Sequence, residues 1–417
     1  MSNQPLTDKN GFLQSVRPQK NLGNLFVWLI GVSALICTVI YAIIGNGRFS
    51  DGFFVKGGDF FMDCFNSIRD ASQGSAVYSE RGVIYPPMAN LIFLFLSRFT
   101  NAEYNNTTFA ARYFWTLYSE CLLLVLVVLV ICVTILLFTL LATQRNSSDR
   151  RRFALAAAAI LSAPLLNLLE RGNMILLCLV AMIIYAFTYD SESRVWREIG
   201  LLCLAFAFSL KLYPVVFGWF LIADKRYKDA IRCALYGVAM LVIPSFFFGG
   251  PIFCLVQVIK NVFSFSTGSG NTITKVMNAL HFPGFVQSLV NILAYVWVLI
   301  CAISFAVSPF LRKDQPWKTW VLGWITILCI PSLTGMYNWA LLLIPMLMLF
   351  THEKNTKQEW IAGCMMIIPF LHIPFRFSLH VTPSEILIYG MTAALSIFSV
   401  IDFLRDVVAY FREKKQA

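Results

Sequence analysis

The residues that could do chemistry in this chain are few, and they stand where polar groups are costly. Asp59 follows Gly57-Gly58 and precedes Phe60-Phe61, just past the first long apolar run. Glycine before and aromatics after suit a tight backbone turn lying on a membrane. A carboxylate placed there can accept a proton from an attacking hydroxyl. It is the choice over Asp51, Asp63, Asp70 and Glu80, with Asp63 the local competitor if the segment is helical. Glu170-Arg171-Gly172-Asn173 separates two apolar runs with almost no loop, and Lys211 lies inside the apolar stretch Phe206–Pro214. Arg376, with His372 and His380, falls in the last polar break. An ionisable residue at membrane depth is a functional-site candidate by default. Each also has a plainer reading: a solvated aspartate, an ion pair tying two helices at Glu170–Arg171, a snorkelling lysine and ordinary interfacial histidines. Tyr78, Tyr85, Asn173, Tyr213 and Tyr337 stand near these groups in the sequence or in the polar breaks and are candidates, with Glu170, for substrate contact.

The elements that must position these residues are membrane helices. Of 417 residues, 58% are apolar and 13% charged, against about 45–50% and about 25% in soluble domains. This excludes a soluble enzyme, a nucleic-acid binder and a disordered scaffold. The formal charge of +11 follows from basic residues gathering on cytoplasmic loops. The 11 cysteines form no CxxC pair and read as small buried hydrophobes. No His/Cys cluster has metal-ligand spacing, so neither a metal nor a cofactor is expected.

With about 20 apolar residues per crossing, the apolar runs predict an all-α polytopic protein of about twelve spans. The run at 25–45 reads as an uncleaved anchor. With the tail 1–24 and the basic tail 405–417 inside, about two thirds of the lysines and arginines fall on cytoplasmic loops. Residues 25–404 then form one transmembrane domain with outer segments at 46–115 and 249–283. The run 86–98 is too short for a hydrocarbon core of roughly 30 Å and is placed as a re-entrant or interfacial helix opened by Pro86-Pro87. Residues 198–223 must be two short or broken helices meeting near Lys211. Every chemical candidate then faces outward. One carboxylate with two or three cations is the inventory needed to bind a lipid phosphate and transfer its sugar.

The ordered pieces Gly58-Asp59-Phe60, Gly74, Tyr78, Tyr85-Pro86-Pro87, Gly172-Asn173 and Lys211-Leu212-Tyr213-Pro214 resemble glycosyltransferase family 87. Its members are polyprenyl-phosphate-sugar-dependent membrane enzymes of the GT-C fold, among them α-1,2-mannosyltransferases. The resemblance covers about residues 25–235. It implies a first outer loop with membrane-parallel helices, and Asp59 as the base of an inverting, metal-independent transfer. Lys211 and Arg171 are expected on the donor phosphate. The partners expected are a lipid-linked sugar donor, a glycan or glycolipid acceptor and membrane lipids, in a bacterial plasma membrane. The chain departs from the family where Asn173 replaces a frequent glutamine and where Gly335-Met336-Tyr337-Asn338 lacks a late-loop histidine, which leaves the sugar open. Two other readings act on similar substrates. A transporter or flippase of lipid-linked sugars would show midplane charges and repeat symmetry, and a polymerase or ligase would carry a large basic late loop.

Overall fold

The computed structural model describes residues 21–44, 53–54, 60–100, 121–144, 147–268, 277, 281–312, 314–330, 336–352, 354–373 and 383–416. Asp59, Arg376 and His380 lie outside the described residues. Among those described, the fold is all-helical. The helices are α1 (Leu22–Ile43), α2 (Met62–Ala71), α3 (Ala76–Ser79), α4 (Pro87–Leu96), α5 (Cys121–Thr143), α6 (Asp149–Ile160), α7 (Ala163–Arg171), α8 (Ile175–Thr188) and α9 (Arg194–Leu210). They continue with α10 (Trp219–Ala223), α11 (Tyr227–Ser245), α12 (Pro251–Gly268), α13 (Gly284–Leu311), α14 (Pro316–Leu328), α15 (Leu343–Phe350), α16 (Lys357–Ile367) and α17 (Pro383–Gln416).

Five helices are long and apolar enough to cross a bilayer: Leu22–Ile43, Leu123–Thr143, Tyr227–Phe248, Gly284–Leu311 and Leu387–Lys415. The pair α6–α7, bent by 58°, makes a sixth if it is one broken span. Their outward faces carry exposed Trp28, Leu35, Leu123, Phe138, Leu235 and Phe285. Apolar surface on that scale calls for lipid rather than water. The other expected spans correspond to shorter helices. Ile175–Thr188 is one of them: ten of its 14 residues are buried, and at about 21 Å it is shorter than a hydrocarbon core. It is apolar because protein surrounds it, with α9 along one side and α5 along another.

Two sequence-read breaks have clear local causes. Pro86 and Pro87 open α4, where proline's missing N–H costs no helical hydrogen bond. That helix packs on α2, α9 and α11. At Lys211 the backbone is extended (φ −144°, ψ 132°), and the chain then turns through a 3-10 segment, Tyr213–Gly218, with Pro214 in its first turn. An aromatic core holds that segment. The Phe217 ring stacks on Trp320 with centroids 4.5 Å apart and meets Trp324 at 4.4 Å. The approach needs Gly323, where a Cβ would fall 2.7 Å from the Phe217 ring. Tyr185 donates to the Phe217 carbonyl at 3.0 Å. The core thus fixes the residues beside Lys211.

Candidate functional site

The turn between α7 and α8 organises the site. Arg171 ends α7, and Gly172 follows in the left-handed region (φ 61°). The Gly172 and Asn173 amides bond to the Leu169 and Leu168 carbonyls, closing the helix end. A Cβ at Gly172 would stand 2.9 Å from the Cys64 Cβ and 3.0 Å from the Phe61 ring. Glycine is required there by conformation and by space. The absent side chain lets the turn pack onto the start of α2. The Phe61 amide donates to the Glu170 carbonyl, and Phe61 itself adopts a left-handed backbone (φ 58°). For an aromatic residue that conformation is uncommon and strained. The strain falls two residues before a carboxylate.

That carboxylate is Asp63, in the first turn of α2, where the helix dipole favours negative charge. One oxygen accepts from Arg171 Nη2 in an ion pair. The other accepts from Asn173 Nδ2 at 2.7 Å. The Asn173 amide also reaches the Tyr85 hydroxyl at 3.4 Å, and its Oδ1 accepts from the Ile175 amide at 3.1 Å, so it ties the carboxylate to the start of α8. Lys211 Nζ lies 4.1 Å from the centroid of the Tyr85 ring, a cation–π contact. It makes no ion pair among the described residues. Tyr213 brings a buried hydroxyl that has no hydrogen-bond partner among the described residues. Tyr337 is within electrostatic reach of Asp63 and Arg171.

Six sequence-named residues therefore converge: Tyr85, Arg171, Asn173, Lys211, Tyr213 and Tyr337. Burial, with Asp63's charge adding, pushes the Tyr85 phenol well above its ordinary range, against the opposing pull of Asn173 and Arg171. It stays a neutral hydroxyl at working pH. Tyr78 stands behind this group. Fully buried, it donates to the Tyr85 carbonyl at 3.0 Å and accepts from Asn90 at 2.9 Å. Asn261 of α12 donates to the carbonyls of Tyr78 and Val83 at 2.9 and 3.1 Å, so Tyr78 supports the turn that presents Tyr85. Glu170 is buried on α7 and accepts from Asn167 at 3.1 Å. His372 is engaged elsewhere, its Nε2 2.8 Å from the Leu161 carbonyl and its ring edge-on to Phe53.

Sequence reasoning ranked Asp63 below Asp59 and left out Cys178, which is buried within electrostatic reach of Lys211 and Tyr213. The signal for Asp63 was the amphipathic pattern of 62–71, which turns Cys64, Phe65 and Ile68 inward. Asp63 and Cys64 border that face at the turn where Gly172 arrives.

The arrangement is a small polar cluster set among aromatic rings, with Arg171 in an ion pair and Lys211 in none among the described residues. It suits an anion bound to Lys211 and Arg171, with hydroxyl donors beside it.

No curated protein and no solved structure matches the chain. Residues 84–267, somewhat under half of the chain, match the family model of glycosyltransferase family 87. That stretch carries Tyr85, Arg171, Asn173, Lys211 and Tyr213; Asp63 and Tyr337 come to them from outside it. The resemblance read from the sequence is therefore matched over residues 84–267, and the long apolar helices around that region are those of a membrane protein.

Proposed function

We propose that the protein transfers a sugar, mannose or another hexose or pentose, from a polyprenyl-phosphate donor to a glycan or glycolipid acceptor. The transfer takes place on the outer face of the plasma membrane. Both termini are cytoplasmic and the chain crosses about twelve times, helices too short to face lipid crossing inside the protein between longer ones. One observation carries the reading. Lys211 makes no ion pair among the described residues, yet it stands over Tyr85 in the cluster that holds the Asp63–Arg171 pair. A secluded cation is costly without a counter-charge, and a donor phosphate supplies one.

The acceptor hydroxyl oxygen attacks the anomeric carbon as the bond from that carbon to the phosphate oxygen breaks. The bonding pair leaves with the phosphate, and the acceptor proton passes to a carboxylate. Attack opposite the leaving group inverts the configuration. Phosphate charge grows as the bond breaks, so Lys211 and Arg171 hold the transition state more tightly than the bound donor. Asp59 is the proton acceptor in this reading. Both oxygens of Asp63, four residues on, are already occupied by Arg171 and Asn173, which suits Asp63 to holding Arg171. Tyr213 and Tyr337 offer hydroxyls to the phosphate or sugar.

The test offers purified protein a panel of radiolabelled polyprenyl-phosphate sugars. One donor should be consumed. Asp59→Asn should bind it and lose about 10²–10⁴-fold in turnover, the usual contribution of a positioned base. Consumption of none of the panel overturns the donor class. Near-normal transfer by Asp59→Asn, with Asp63→Asn or Glu170→Gln inactive, overturns the base.

A further inference from the structure

Lys211 ends α9, and the opposite end of that helix, roughly 25 Å away, forms a second charged site. There a pocket of about 600 Å³ is lined by Arg194, Arg197, Lys228, Asp229, Ile231 and Arg232. Asp229 organises it: its carboxylate pairs with Arg226 and Arg232 and lies 3.9 Å from Arg197. Glu198 takes the other side of Arg232 at 2.7 Å and accepts from the Tyr236 hydroxyl. Arg226 also donates to the Tyr189 carbonyl, with Asp190 and Asp224 on that side. Three cations, Arg197, Arg226 and Arg232, thus share the two carboxylates of Asp229 and Glu198. Arg194 and Lys228, both exposed, have no ion pair among the described residues.

The pocket opens onto an apolar stripe. Ile231, Leu235 and Val238, at helical spacing on α11, are each more than half exposed, as are Val195, Trp196 and Tyr227 beside the basic group. Cations at the head of an exposed aliphatic stripe, flanked by interfacial aromatics, fit a molecule with an anionic head and acyl chains. The salt bridges around Asp229 hold the guanidiniums in place before any ligand arrives.

We propose that this pocket binds the phosphate headgroup of an anionic phospholipid from the cytoplasmic leaflet, with an acyl chain lying along Ile231, Leu235 and Val238. The leaflet follows from the topology proposed above, whereas lipid binding itself does not depend on sugar transfer. The site clamps α9 and α11 together at the membrane surface, at the far end of the helix that delivers Lys211.

The test is native mass spectrometry of the full-length protein released from mixed micelles holding equal phosphatidylglycerol and phosphatidylcholine. Phosphatidylglycerol should be retained preferentially. Arg194→Ala/Lys228→Ala, which leaves the Asp229 pairs intact, should weaken that retention about fivefold per cation removed. Arg194→Lys/Lys228→Arg should keep it. Equal retention of the two lipids overturns the proposal, as does an unchanged Ala/Ala variant. Displacement of phosphatidylglycerol by inorganic phosphate at matched concentration overturns the lipid as occupant in favour of a free anion. None of these readouts moves if the sugar-transfer reading fails.

Discussion

Two groups of buried charge in this protein are built from the same residue types and come out differently. Between α13, α14 and α17, Arg312 and Lys318 meet Asp402 and Asp406. Lys318 lies 2.9 Å from Asp402, and Arg312 lies 3.0 Å from Asp402 and 2.6 Å from Asp406. Two cations face two carboxylates, so the charge closes on itself. At the α7–α8 turn Arg171 pairs with Asp63, whereas Lys211 makes no ion pair among the described residues and rests on an aromatic ring instead. A balanced cluster of this kind fastens helices. A cluster holding a lysine without an ion pair and the Tyr213 hydroxyl without a hydrogen-bond partner, both among the described residues, suits a charge that arrives from outside.

Breaking the balanced cluster should have the largest effect on stability. Asp402→Ala leaves two secluded cations short of a partner and should cost about 3–5 kcal/mol. It is read as a lowered melting temperature in detergent, while the folded fraction keeps its donor affinity. A folded Asp402→Ala protein with weakened donor affinity would erase the contrast between the two clusters.

Asp63→Asn should cost less stability, about 1.5–3 kcal/mol for charge-assisted hydrogen bonds, and should separate binding from turnover. Arg171, released from its pair, should bind the donor phosphate no worse than before. Turnover should fall because the cation is no longer held in place. Equal loss of affinity and turnover would make Asp63 a donor contact instead of a support for Arg171.

Tyr85→Phe should have the smallest effect. The ring face under Lys211 remains, and only the 3.4 Å contact with Asn173 is lost. A change of a few-fold in turnover is expected, with the pH profile unaltered, because burial already keeps the phenol neutral. A shifted pH profile would mean that the Tyr85 hydroxyl takes part in proton transfer.

Much of the polar cluster at the α7–α8 turn was legible in the sequence, because charged and amide groups are conspicuous inside apolar runs. Arg171, Asn173 and Lys211 were named on that ground and lie together. Gly172 was legible as a turn, though its close approach to Cys64 was not. Asp63 was harder to read because its segment is polar, and polarity between apolar runs has many causes. Tyr78 was as visible as Tyr85 in the sequence, yet its hydroxyl is spent on the Tyr85 carbonyl and Asn90. Span counting met a similar limit. An apolar run does not reveal whether lipid or protein will cover it, and α8 is as apolar as α5 while being buried on nearly every side.

The measurement that bears most directly on the polar cluster at the α7–α8 turn is the affinity of the unsubstituted polyprenyl phosphate for the wild-type protein and for Lys211→Ala, both in nanodiscs. Lys211 pairs with nothing acidic among the described residues, so the variant should keep its melting temperature. It should bind the lipid phosphate about 10–100-fold more weakly, the range for losing a charge-assisted hydrogen bond. Equal affinity in a folded Lys211→Ala protein would contradict the account and leave Lys211 as a lysine held over Tyr85 for packing alone.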